Sequence, residues 1–200
     1  MSAPRLPKIL ITGTDGQVGF ELTRTLAPLG VIKALMRADL DLGDEDALRT
    51  LLDAEHPDII VNPAAYTAVD KAESDVAAAY AVNERAPAVM AQWAAAHGAF
   101  MVHYSTDYVF EGSGETPYVE NDAVAPQSVY GASKEKGEQA VRATLPEHFI
   151  FRTSWVFGAY GANFLKTMLR LMQERETLNV VADQIGAPTS AALLADVTSH

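Results

Sequence analysis

The chain has 200 residues, 48% of them apolar and 20% charged, with a net charge of −11 and no cysteine. That balance describes a globular chain of one medium domain, or one domain and the beginning of a second. Disulfides, cysteine metal sites and thiol nucleophiles are excluded, and the reducing cytoplasm is the expected compartment. The acidic balance argues against a nucleic-acid partner, which needs clustered Lys and Arg. No apolar run approaches a membrane span, and the opening Met1-Ser2-Ala3-Pro4-Arg5 lacks the apolar core of a signal peptide.

The first predicted strand, Ile9 to Ile11, runs into Thr12-Gly13-Thr14-Asp15-Gly16-Gln17-Val18-Gly19 and then a helix whose Val18, Leu22, Leu26 and Leu29 share one face. Glycines three apart between a strand and a helix let the backbone turn tightly and approach a pyrophosphate, which then sits on free helix N–H groups. GxxGxxG is a weak pattern alone, and a turn whose glycines serve packing is the competing reading. A second strand, Val31 to Leu35, leads into Met36 and Arg37. An acidic residue there would bond a ribose 2′-OH, whereas arginine accommodates a 2′-phosphate, so NADPH is favoured and NADH is the alternative.

Asp44 is the expected cap of a helix with Ala47, Leu48, Leu51 and Leu52 on one face, ended by Pro57. The third strand, Asp58 to Val61, has the continuous apolar character of one covered on both faces. The small residues after Asn62 let a flat cofactor lie against the backbone. An Ala-rich helix is predicted over Val76 to His97, with a kink or break implied by Pro87 and a stop at Gly98. Phe100 to Tyr104, Phe149 to Arg152 and Leu178 to Val181 read as strands four, five and six. Strands separated by helices imply right-handed crossovers and an α/β, Rossmann-type doubly wound parallel sheet, with ligands beyond the strands' carboxyl ends. Near the C-terminus Leu165, Met168, Leu169 and Met172 form one apolar helical face.

Strand four ends in His103-Tyr104-Ser105-Thr106-Asp107, where a hydroxyl can bond a substrate carbonyl and stabilise charge on its oxygen. Ser105 and Thr106 cannot both do so in a continuing strand, because successive side chains point oppositely. Tyr130 and Lys134 stand four apart on a predicted helix, so the ammonium is expected near the phenol. A cation there lowers the tyrosine pKa from about 10 and makes the phenol a usable acid or base. His56, His97, His103, His148 and His200 are scattered and read as structural or exposed, and no metal site is expected.

The order of these pieces is more specific than any one of them. TGTDGQVG from Thr12, NPAAYTAVDKAE from Asn62, HYSTDYVFEG from His103, YGASKEKGE from Tyr130, FRTSWVFG from Phe151 and VVADQIGAPTSA from Val180 together resemble the extended short-chain dehydrogenase/reductases over nearly the whole chain. STDYVF with RTSW is similar to the branch that reduces the C4 ketone of dTDP-4-dehydro-L-rhamnose to dTDP-L-rhamnose. The resemblance implies an NAD(P)-binding Rossmann domain over 1–156 and the start of a C-terminal substrate lobe over 157–200. Such enzymes run well beyond this length, so the lobe is expected to be partial, and cofactor binding is expected of the chain as it stands.

The resemblance also implies roles. Gly13, Gly16, Gln17, Val18 and Gly19 lie at the pyrophosphate, Arg37 at the ribose phosphate, and Asp41 and Leu42 at the adenine. Ala64, Ala65, Tyr66 and Thr67 line the middle of the cofactor. Tyr130 is the proton donor, Lys134 holds the nicotinamide ribose and tunes Tyr130, and Thr106 is the hydroxyl at the substrate. Asp107 and Trp155 contact the nucleotide sugar, and Asn83 joins a proton relay. A homodimer is left open. Two other readings stand beside the reductase. A nucleotide-sugar epimerase or dehydratase is one, although dehydratases place an acidic residue where Tyr108 follows the Thr-Asp pair. The other is an NADP-binding regulatory subunit, similar to the β subunit of methionine adenosyltransferase.

Overall fold

The computed structural model describes residues 5–200, so the reading of the Met1-Ser2-Ala3-Pro4 opening lies outside the described residues. β1 (Lys8–Ile11) leads to α1 (Gln17–Thr25), β2 (Val31–Ala34) to α2 (Glu45–Glu55), and β3 (Ile59–Asn62) to α3 (Val69–Ala72) and α4 (Val76–Tyr80). A π-helical turn, Ala81–Arg85, joins α4 to α5 (Ala86–His97). β4 (Phe100–Thr106) passes through a 3₁₀ turn, Asp107–Val109, to α6 (Val129–Thr144), and β5 (His148–Thr153) completes the main sheet. After it come β6 (Val156–Phe157), α7 (Phe164–Glu174), β7 (Thr189–Ser190) and α8 (Ala191–Ser199).

The five strands are parallel in the order β2-β1-β3-β4-β5. The direction of strand addition therefore reverses between β1 and β3, and their carboxyl ends splay to leave a crevice there. Alternation along each strand loads both faces. Leu10, Ile60 and Met101 pack against Leu48 and Leu52 of α2, Met90 of α5 and Val141 of α6. Ile9, Ile11, Val61 and Val102 pack against Leu22 of α1 and Leu194 of α8. Each such side chain, removed from water, contributes about 1.5–3 kcal/mol. No helix among the described residues is long and apolar enough to cross a membrane.

Local signals hold where they rest on side-chain chemistry. Asp44 Oδ1 accepts from the Ala47 N–H at 2.9 Å and starts α2, a cap worth about 1 kcal/mol. The break expected at Pro87 is present: the Val76 to His97 segment is two α-helices joined by the π-turn, and Pro87 sits in the first turn of α5. Two expectations change. Leu29 does not continue the buried face of α1, because that helix stops at Thr25 and leaves Leu29 45% exposed. Leu178 to Val181 forms no strand: Val180 and Val181 are exposed, and no neighbouring backbone offers a ladder. The small second sheet instead pairs Val156 with Thr189 and Phe157 with Ser190.

Beyond β5 the chain divides its contacts. α7 buries none of its residues, and Leu165, Leu169 and Met172 are each about half exposed or more. α8 lies against α1, with Leu194 and Ala195 in the core and the Thr198 hydroxyl bonded to that of Tyr104.

Candidate active site

A cleft of about 510 Å³ opens at the carboxyl ends of β1 and β3, and every residue expected at the cofactor lines it. Gly16 begins α1 without a capping side chain and no acid stands in its first turn, whereas α2, α6 and α7 are each capped by Asp44, Ser128 or Asn163. The N–H groups of α1 thus face the cleft with the positive end of the helix dipole, a fit for an anion. The turn is built on close approach: a Cβ on Gly19 would stand 2.1 Å from the Gly13 carbonyl oxygen. Arg37 and Lys134 are the cations of the lining, balanced by Asp15 and Asp41. Asp41 spends one carboxylate oxygen on the Gly43 N–H at 2.8 Å, which fixes the turn beside the half-buried Leu40.

Gln17 lines the cleft, but its side-chain amide is spent on the chain beyond β5. Its Nε2 donates to the Val156 carbonyl at 3.2 Å, and its Oε1 accepts from Asn163 Nδ2 at 2.9 Å. With Phe20 stacked on Tyr160 at 4.1 Å, it fastens α1 to the segment leading into α7. Its main chain, not its amide, is left for an anion.

The loop Ala64 to Thr67 is held from behind. Asn83, buried in the π-turn, accepts from the Tyr66 N–H at 2.8 Å and donates to the Tyr66 carbonyl at 3.1 Å and to Ser133 Oγ at 3.0 Å. All three bonds of this amide serve the scaffold, so it has no hydrogen left for the expected relay. Widened π-turns of this kind recur at functional sites. α6 can approach because of Gly137, where a Cβ would stand 2.1 Å from the Asn83 carbonyl oxygen.

α6 brings Tyr130 and Lys134 to the cleft, but the ammonium does not act on the phenol as the spacing implied. Lys134 is 2% exposed and donates to the Tyr104 carbonyl at 2.6 Å, with His103 Nε2 at 3.4 Å. Burial pulls its pKa down to about 8, against the pull of Glu138. The Tyr130 pKa is raised to about 12 rather than lowered, because burial dominates and the charge of Asp107 adds to it. The Thr106 hydroxyl works the other way, too weakly to reverse the shift. Tyr130 is therefore a protonated phenol across the neutral range, suited to giving a proton.

Beside it the ends of β4 and β5 collect a second group. Thr106 Oγ1 donates to Asp107 Oδ1 at 3.0 Å and accepts from the Tyr108 N–H at 3.2 Å, while Ser154 Oγ donates to Asp107 Oδ2 at 2.7 Å. Trp155 follows at φ 46, a left-handed backbone that is strained for a tryptophan, and leaves its indole 46% exposed near Phe164. Thr106, Asp107 and Trp155 thus lie together at the edge of the cleft rather than in its lining. The Tyr108 ring packs edge-on to that of Tyr130, 5.5 Å between centroids.

Three contributors escaped the sequence reading. Ser154 orients Asp107, and Asn62 with His103 forms a buried polar pair beside Lys134. A lone histidine or serine on a strand end carries no spacing signal; the only hint is that β3 and β4 interrupt apolar runs with polar residues.

The family described as RmlD substrate binding domain matches residues 7–200. The dTDP-4-dehydrorhamnose reductase of Burkholderia thailandensis is 53% identical over 193 residues, covering 96% of this chain and 65% of that protein. The enzyme of the same name from Escherichia coli (strain K12) is 50% identical over 196 residues, 96% of this chain and 66% of that one. This chain thus spans just under two thirds of the length of those relatives. A dTDP-4-dehydrorhamnose reductase structure from Clostridium acetobutylicum superposes with a TM-score of 0.91 at 42% identity, covering 96% of this chain and 68% of that one. Another, from Bacillus anthracis and in complex with NADP, gives 0.90 at 41% identity, covering 96% and 69%. With a match running over nearly its whole length, the chain belongs to the RmlD substrate binding domain family.

Proposed function

We propose that this chain carries the cofactor cleft and the proton donor of a cytoplasmic, NADPH-dependent reductase that converts dTDP-4-dehydro-L-rhamnose to dTDP-L-rhamnose. The observation that carries the reading is Tyr130: a phenol held protonated beside Thr106, at the end of a dinucleotide-sized cleft whose helix N-terminus is free. The bound NADP of the Bacillus anthracis relative supports the cofactor, and Arg37 in the lining supports NADPH over NADH.

A bound reduced nicotinamide supplies the hydride for the C4 carbon. Tyr130 gives its proton to the oxygen that gains charge there, and the raised pKa keeps that proton in place until the oxyanion forms. Thr106 offers the same oxygen a second hydrogen bond when it leaves Asp107. Lys134, charged below its pKa of about 8, has two bonds to the scaffold and one hydrogen left for the cleft, where a ribose hydroxyl is its partner. Gln17 and Asn163 tie the cofactor helix to the segment bearing Trp155, so the substrate lobe of 157–200 begins against the cofactor; in this reading α8 returns from the lobe to the sheet.

Tyr108, standing where a dehydratase would place an acid, sets its ring edge-on to that of Tyr130, which favours reduction over elimination. Supplying C4-deuterated NADPH and the keto sugar tests the assignment. Deuterium at C4 of a dTDP-L-rhamnose product is expected. A rearranged sugar carrying no deuterium, with NADPH unconsumed, overturns it in favour of an epimerase.

A further inference from the structure

Behind the cleft a line of four buried polar side chains crosses three strands and ends on α6. Thr12 Oγ1 and Asn62 Oδ1 are 2.6 Å apart, Asn62 Nδ2 and His103 Nδ1 3.2 Å, and His103 Nε2 and Lys134 Nζ 3.4 Å. Thr12, Asn62 and His103 are each at most 1% exposed and Lys134 2%. Bulk water does not reach them, so each hydrogen must be placed by its neighbours. The ring of His103 is neutral: burial and then the charge of Lys134 drive its pKa well below the ordinary value, and the Asn62 backbone opposes them weakly.

A neutral imidazole carries one hydrogen, on either Nδ1 or Nε2. A charged Lys134 has only donors, so Nε2 must then accept and the hydrogen sits on Nδ1. The Asn62 amide must turn its oxygen to the ring and its Nδ2 to Thr12, whose hydroxyl can serve either way. A neutral Lys134 has a lone pair to accept from Nε2–H. Nδ1 then accepts from Asn62 Nδ2, and Thr12 gives its hydrogen to Asn62 Oδ1. In passing from the first state to the second Lys134 loses one proton to water in the cleft it lines, and the single imidazole hydrogen is relocated from Nδ1 to Nε2, so one proton is lost overall and the ring stays neutral.

We propose that the tautomer of His103, held in line by Asn62 and Thr12, is coupled to the charge of Lys134, which makes His103 a positioning residue for the lysine in the cofactor cleft. The inference rests on the reductase reading for its consequence and on the buried line alone for its substance. Among the described residues, the titratable groups that act on the pair are Glu138, on the helix of Lys134 and in turn held by Arg152 and Arg142, and from β4 His103 itself. The Tyr104 carbonyl, also from β4, accepts from Nζ in either state.

The experiment is nitrogen NMR of the cofactor-free 200-residue chain with histidine labelled in its ring. The His103 signals are identified by their loss in His103→Gln, and the titration runs from about pH 6 to about pH 10. The expected result is a ring that stays neutral and changes from the Nδ1–H to the Nε2–H form with a midpoint near 8. In Lys134→Met that change is lost. In Asn62→Ala, which removes the amide that holds the ring in line, the midpoint shifts away from its wild-type place, as read on either His103 or the Lys134 Nζ signal. A single tautomer at every pH overturns the proposal. So does protonation to an imidazolium, or a change that persists with the same midpoint in either variant. Because no cofactor or substrate is present, these results stand whether or not the chain reduces a keto sugar.

Discussion

Arg152 of β5 forks onto Glu138 of α6, Nε to Oε1 at 2.9 Å and Nη2 to Oε2 at 2.7 Å, one helical turn beyond Lys134. Arg142 adds a bond to the same carboxylate at 2.9 Å, and the Arg152 guanidinium lies 4.9 Å from the Phe110 ring centroid. Glu138 is fully buried, so the fork fixes the rotation of α6 and with it where Tyr130 and Lys134 point. Glu138→Ala leaves a largely buried guanidinium unpaired and is expected to lose about 3–5 kcal/mol in urea unfolding. A loss below about 1 kcal/mol contradicts that role.

The pH dependence of that pair has a definite sign. Burial works to raise the Glu138 pKa, and the hydrogen bonds and charge of Arg152 overcome it and hold the carboxyl below its ordinary 4.5. A depressed carboxyl contributes stability that is complete above the unfolded value and is lost as pH falls through the folded one. Acid unfolding of the wild-type chain should therefore steepen below about pH 4.5, and Glu138→Gln should remove that part of the slope. An identical slope in both proteins assigns acid sensitivity elsewhere.

Lys134 behaves the opposite way. Its pKa falls from 10.5 unfolded to about 8 folded, a difference of about 3 kcal/mol. Between those values the unfolded chain binds more protons, so stability rises with pH from about 8 to about 10.5. Lys134→Met should be the more stable protein at neutral pH and should show no such rise. Turnover needs the ammonium, so the rate of the wild-type chain should decline above pH 8 while Tyr130, at about 12, remains protonated. A rate that climbs through that range puts the ammonium outside the reaction.

Gly19→Ala places a Cβ 2.1 Å from the Gly13 carbonyl oxygen, a backbone atom that cannot step aside without opening the turn. Calorimetry should show NADPH affinity lost by tenfold or more, by the reckoning that each 1.4 kcal/mol is a factor of ten. Unchanged affinity shows that the anion does not sit on α1.

Arg37→Ala separates the two nicotinamide cofactors. A charged hydrogen bond to a 2′-phosphate is worth about 1.5–3 kcal/mol, so KM for NADPH should rise about 10- to 100-fold while KM for NADH stays put. Equal increases for both place Arg37 in a general electrostatic role.

The doubly wound sheet was legible because strands, turns and caps carry their chemistry locally: Asp44 caps α2 wherever the rest of the chain goes. Features that depend on a partner were not. The β-branched run at Val180 and Val181 reads as a strand, yet a strand exists only where another backbone accepts its ladder. Tyr130 and Lys134 were found by spacing, but spacing places a side chain on a helix face and does not say which acceptor takes its hydrogens. The Tyr104 carbonyl, the acceptor that turns the ammonium, comes from a strand 30 residues earlier. His103 and Ser154 were missed for the same reason: each acts through one neighbour distant in sequence.

The most direct measurement is NADPH consumption, followed by absorbance with dTDP-4-dehydro-L-rhamnose supplied, on the wild-type chain and on Tyr130→Phe, with NADPH binding measured in parallel by calorimetry. The wild-type chain should oxidise NADPH only when the keto sugar is present, and Tyr130→Phe should bind NADPH equally well while losing about 10²- to 10⁴-fold in rate. A Tyr130→Phe protein that turns over at the wild-type rate contradicts the phenol as proton donor. NADPH that is bound but not consumed, both by this chain and by one extended to the length of its relatives, contradicts the reductase itself and leaves a cofactor-binding protein in its place.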